Sequence, residues 1–133
     1  MAYFLAKTDP ETYSLDQLER DKTTVWDGVR NAQAIQVIQK MRPDDNILIY
    51  HSAKETAIVG LARVISEPRP DPKDEKSWVV DVEFVCRFVH PVTLQEIKAT
   101  HLFDDWSLIR QGRLSTMEVP ASFIAWLKEK NVL

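Results

Sequence analysis

The sequence predicts an α+β fold, with five or six strands forming a curved sheet or small barrel and helices packed around it. Three observations carry this expectation. Strand-like and helix-like segments are interspersed along the chain with short connections. The stretch Trp78–Val89 has a readable two-residue parity. Val80, Val82, Phe84, Cys86 and Phe88 share one face, and Asp81, Glu83 and Arg87 the other. Two capping boxes, Ser14-x-x-Gln17 and Thr93-x-x-Glu96, mark helix starts on either side of the strand-rich middle. A chain of 133 residues with 44% apolar residues has the size and core material of one domain, residues 1–133.

The elements follow in order. Tyr3–Lys7 reads as a first strand, ended by Thr8-Asp9-Pro10, and Ser14 caps a short helix over about Leu15–Arg20. Thr23–Trp26 is β-prone and runs into an Asp27-Gly28 turn. Asn31 caps a helix with Ala34, Ile35, Ile38 and Met41 on its inner face, stopped by Arg42-Pro43-Asp44-Asp45. Asn46–His51 is apolar on both faces, as a central strand is. In the next strand, Thr56–Ser66, Gly60 marks a place where another backbone or a ligand comes close.

Glu67–Asp74, with three prolines and alternating charge, reads as a loop before the long strand, whose parity makes Cys86 a core residue. Thr93 opens a helix to about Thr100, and Asp104–Arg110 adds another turn. Arg113–Val119 is extended. Pro120 takes the first position of a last helix, which turns Phe123, Trp126 and Leu127 to the core.

Composition excludes several functions. Seventeen Lys and Arg against 20 Asp and Glu give a net charge of −3, so any phosphate contact comes from a local patch. The three glycines, Gly28, Gly60 and Gly112, spell neither a dinucleotide fingerprint nor a phosphate loop. One cysteine removes disulfide frameworks and multi-thiolate zinc sites. His51, His90 and His101 form no His-Glu-x-x-His pattern, and there is no nucleophile elbow. No metal and no cofactor are expected. The N-terminal apolar run is a strand and not a signal peptide, and no run is long enough to span a membrane. These features point to a soluble, cytoplasmic protein without a membrane partner.

Three segments remain as candidates. Trp26 stands at an element end beside the Asp27-Gly28 turn. Its indole either plugs the end of the core or walls a pocket that stacks a planar ring. Tyr50-His51-Ser52 closes the central strand. Adjacent residues on a strand face opposite ways, so His51 is poorly placed as a base for Ser52, and a hydrogen-bonding role fits better than catalysis. Arg110–Thr116 mixes two cations with Gly112, Ser115 and Thr116; with Lys7, Arg30 and Lys98 it either forms a basic rim or is an ordinary solvated loop. Asp44-Asp45 and Asp104-Asp105 sit where turns and helix starts favour aspartate, so acid–base catalysis is not expected of them.

The same segments resemble EVE domains, the thymocyte-nuclear-protein-like family. The resemblance rests on Tyr3–Pro10, Trp26-Asp27-Gly28-Val29-Arg30-Asn31, Ile49–Ser52, Val59–Ala62, Pro91–Leu94 and Arg113–Ser115, in that order. It implies a PUA-like fold related to YTH domains, and a non-enzymatic nucleic-acid reader whose pocket takes a modified base. Methylated or hydroxymethylated cytosine and methylated adenine are the implied bases, in DNA or RNA. Carried over residue by residue, Trp26 is the stacking wall and Asn31, Ser52 and Ser115 read the base edge. Lys7 and Thr8 form the floor, and Arg113 contacts phosphate at the mouth, with Arg30 on the rim. Relatives often carry an aromatic residue where this chain has Ala32, so Tyr50 or Leu114 would complete the cage, with His51 beside them. The alternatives are a pocket for a free nucleotide or other small molecule and, further off, an enzyme acting on modified nucleotides. A monomer is expected.

Overall fold

The computed structural model describes residues 1–133. In chain order the elements are β1 (Tyr3–Thr8), α1 (Leu15–Asp21), β2 (Thr23–Trp26), α2 (Ala32–Lys40), β3 (Asn46–His51) and β4 (Ala57–Val64). Then come β5 (Arg69–Asp71), β6 (Asp74–Thr93), α3 (Leu94–Thr100), α4 (Ser107–Arg110), β7 (Thr116–Glu118) and α5 (Ala121–Glu129). The expected α+β class holds, with a sheet of seven strands where five or six were expected. Its order is β2-β6-β4-β3-β1-β7, with β5 beside β6. All pairs are antiparallel except β1 with β3.

Local chemistry explains most boundaries. The Ser14 hydroxyl accepts from the Gln17 N–H while the Gln17 side chain accepts from the Ser14 N–H, so both halves of the capping box form. Asn31 Oδ1 accepts from the Ala34 N–H and starts α2. The Asp45 carboxylate accepts from the Arg42 and Ala2 N–H groups, fastening the turn after α2 to the chain start. In β3, Ile47, Leu48, Ile49 and Tyr50 are all buried, as befits a central strand.

Four sequence expectations need correction. The loop proposed for residues 67–74 contains β5, which forms a hairpin with β6; Asp71 and Asp74 accept N–H bonds at its turn. Pro70 is tolerated because β5 pairs on one side alone. Cys86 is half-buried and not a core residue. The β4–β6 register shifts at Ile58/Gly60 and again at Leu61/Ala62, so strict parity does not carry through to full burial. Pro120 occupies the N-cap of α5, not its first turn. Phe123 and Leu127 of that helix are fully buried, whereas Trp126 is half-buried under the Lys130 ammonium.

Gly60 does mark a close approach. The Cys86 carbonyl and the Leu15 side chain crowd the space where a Cβ would stand, so α1 lies directly on β4 there. At the sheet's far ends, β2 and β7 are the terminal strands. Curvature brings the end of β2 and the chain just before β7 to the rim of one cavity, together with the end of β1.

Candidate functional site

That cavity has a volume of about 600 Å³ and is open to solvent. Lys7 and Thr8 come from the end of β1, and Thr12 and Tyr13 from the turn before α1. Thr24, Val25 and Trp26 come from β2, Asp27–Arg30 from the connection to α2, and Ser115 from the approach to β7. Eight of these twelve residues are polar, charged or glycine, so the cavity is a hydroxyl-rich recess with one large indole in its wall.

Each wall is held by identifiable bonds. The Lys7 N–H donates to the Ser115 carbonyl, which draws the ends of β1 and β7 together. Lys7 Nζ donates to the Gly112 carbonyl at 2.9 Å and lies 5.5 Å from the centre of the Tyr50 ring. Burial pulls the Lys7 ammonium below its usual range. Two of its three N–H donors have no partner within the chain. The Thr8 hydroxyl donates to the Tyr13 carbonyl, and the Asp9 carbonyl takes the Thr12 and Tyr13 N–H groups. The Asp9-Pro10 turn therefore folds Thr12 and Tyr13 back onto β1. Tyr13 Oη donates to Asp21 at 2.9 Å.

Trp26 is both core and wall. It is 9% exposed and packs with the hydrophobic core, yet it borders the cavity. The two alternatives left by the sequence are not exclusive here.

The structure brings together Lys7, Thr8, Trp26, Arg30 and Ser115. Arg113 is exposed next to Gly112, whose carbonyl receives the Lys7 ammonium. The other proposed residues lie outside the lining. Asn31 Oδ1 is engaged as the α2 cap. Tyr50 is buried beneath Lys7, and Leu114 is buried and faces a second cavity beside α2. The Ser52 N–H donates to the Thr8 carbonyl, so Ser52 braces the floor from behind. Thr12 and Tyr13 are lining residues that no sequence motif singled out, because only the turn after β1 places them there. The Asp-Pro dipeptide was the available signal.

His51 turns away from the cavity to α1. Its Nε2 accepts from the Leu15 N–H at 3.1 Å. Burial holds the imidazole below its usual range, with Asp16 opposing and Arg87 reinforcing the shift. Protonated imidazole cannot accept that bond. Its contribution to stability is therefore complete above the unfolded value of about 6.5 and is lost as pH falls through the lower folded value. In urea unfolding at pH 7.5 and 5.5, wild type should lose more stability on acidification than His51→Gln, which does not titrate. Equal losses would refute the assignment.

Two cations, Lys7 and Arg30, and one anion, Asp27, are among the lining residues. Nine of the 17 Lys and Arg side chains lie within 4.0 Å of a carboxylate. Lys7 and Arg30, which line the cavity, are among those that do not, as is the exposed Arg113.

A family model described as the EVE domain matches residues 2–130. Thymocyte nuclear protein 1 of Rattus norvegicus is 32% identical over 127 aligned positions, which take in 74% of this chain and 56% of the relative. This chain thus spans little more than half the length of the curated relatives it matches. A hypothetical protein from Leishmania major has a solved structure that is 34% identical, with a TM-score of 0.88 over 98% of this chain and 94% of that one. The human THYN1 protein, solved in complex with 5-methylcytosine-containing DNA, is 26% identical, with a TM-score of 0.86 over 97% of this chain and 98% of that one. These likenesses agree with the PUA-like fold expected above.

They also correct the cytoplasmic location, since the curated relatives carry the name of a nuclear protein. A lone cysteine and the lack of a membrane-spanning run fit either compartment, because nucleus and cytosol are both reducing.

Proposed function

This chain belongs to the EVE-domain family, and from that premise we propose that it is a non-enzymatic reader of a modified base, most directly a modified cytosine, in nucleic acid. The observation that carries the reading is the cavity itself. It combines one indole wall, small hydroxyls and two cations, Lys7 and Arg30, that have no carboxylate partner. The DNA-bound human relative, alike over nearly the whole of this chain, supports nucleic acid carrying a modified cytosine as the partner.

In this reading the unpaired base enters beside Trp26. Lys7, Thr8 and Ser115 face its polar edge, while Thr12, Tyr13 and Thr24 line the remaining wall. A methyl substituent buried against the indole adds about 1 kcal/mol by its own desolvation. This biases recognition without supplying affinity for the polymer. Arg30 and Arg113 supply phosphate contacts.

The test is a titration of labelled oligonucleotides, plain and carrying 5-methylcytosine, 5-hydroxymethylcytosine or N6-methyladenine, in single- and double-stranded form. A modified strand that binds more tightly than its plain counterpart supports the reading, and equal binding across the panel overturns it. Exchange of Arg30 and Arg113 for glutamate should weaken every oligonucleotide. It should also make the slope of log affinity against log salt shallower by about 2 on duplex DNA. If the two exchanges leave oligonucleotide binding unchanged, a free nucleotide becomes the better ligand.

A further inference from the structure

The connection Asp27–Arg30 forms one wall of the cavity without helix or strand to hold it. Its own main chain does little to fix it. The N–H groups of Gly28, Val29 and Arg30 donate no hydrogen bond within the chain, and Gly28 adopts a positive φ of 77°. The segment is tied at its start by the β2–β6 ladder, which ends at Trp26↔Val80, and at its far end by the Asn31 cap. Between those points one polar tie is present. Ser77 of β6, 2% exposed, donates its hydroxyl to the Val29 carbonyl at 2.5 Å, across 48 positions of sequence. Val29 is itself buried, so that carbonyl has no water to turn to.

We infer that Ser77 is a positioning residue for the base-binding cavity: it holds the Asp27–Arg30 wall in its receptive shape before any ligand arrives. The inference rests on the reading of the cavity given above, but its first consequence needs no ligand. Ser77 does not line the cavity. It acts through Val29, which carries Gly28 and Arg30 on either side. Without the bond, the segment must be ordered at the moment of binding, and that ordering reduces affinity.

The experiment compares wild type with Ser77→Ala and Ser77→Thr, the second keeping a hydroxyl on the same strand position. A fourth protein, Ile97→Val in α3, loses packing in a helix that contributes nothing to the cavity lining and controls for general destabilisation. Backbone ¹⁵N order parameters of residues 27–30 are read first. Ser77→Ala should lower them from the rigid range near about 0.85 to below about 0.6, while Ser77→Thr and Ile97→Val leave them near wild type. Binding is read second, on a modified oligonucleotide and its plain counterpart. Ser77→Ala should weaken the modified strand about tenfold and narrow its preference over the plain strand, with the salt slope unchanged because no phosphate contact is lost. Ser77→Thr should restore most of the affinity.

Unchanged order parameters in residues 27–30 of a folded Ser77→Ala protein would overturn the inference. So would equal losses of affinity in Ser77→Ala and Ile97→Val at matched stability. A wild type that shows no preference for any modified strand overturns the reader hypothesis instead, and leaves the order parameters to judge Ser77 on their own.

Discussion

Replacing Trp26 with alanine is expected to abolish the preference for a modified strand. Stacking of a base on an aromatic side chain contributes about 1–3 kcal/mol, so affinity for the modified oligonucleotide should fall between roughly fivefold and 150-fold. The plain strand, held mainly by Arg30 and Arg113, should lose less. The substitution also costs stability, because Trp26 is 9% exposed and packs with the core. Loss of a buried Trp side chain costs about 3–5 kcal/mol. Trp26→Phe therefore accompanies it, keeping a flat ring at the wall and filling more of the space. It should bind within a few-fold of wild type. Competition binding at a temperature where circular dichroism shows all proteins folded decides the matter. A folded Trp26→Ala protein that keeps its full preference would remove Trp26 from the site.

Gly60→Ala is expected to be among the most damaging single-methyl additions to the fold. An added Cβ would stand 2.7 Å from the Cys86 carbonyl oxygen and 2.8 Å from a Leu15 methyl. The side chain could yield, but the carbonyl belongs to the paired strand β6 and cannot move without breaking register. Overpacking of a tight site typically costs about 1–3 kcal/mol, and a backbone neighbour puts this site at the upper end. Relief would lift α1 from β4. Tyr13 and Thr12, which precede α1 and line the cavity, would move with it. A lower urea midpoint together with weakened oligonucleotide binding is the expected pair of results. A midpoint within error of wild type would show that the α1–β4 contact is softer than the crowding implies.

Much of the fold was legible in residue chemistry. Both capping residues, Ser14 and Thr93, start helices where their spacing places them, because a hydroxyl three positions before a free N–H is a local event. The all-apolar run in β3 likewise reports a strand covered on both faces. Cys86 and the β5 hairpin were misread for the opposite reason. Burial of Cys86 depends on bulges against β4, and β5 exists because β6 continues back to Asp74 to pair with it. Those are properties of partners distant in sequence.

The candidate site divides along the same line. The sequence by itself determined the Trp26–Asn31 string, the absence of phosphate loops and thiolate clusters, and the net charge of −3. These follow from residue identity and local turn chemistry. Only the tertiary structure decided which side chains share a cavity. The sheet's curvature brings the ends of β1 and β2 and the approach to β7 to one rim, admits Thr12 and Tyr13, and turns His51 to the α1 backbone. Sheet curvature is a sum of twists, bulges and packing over all the strands, so no short window of residues encodes it.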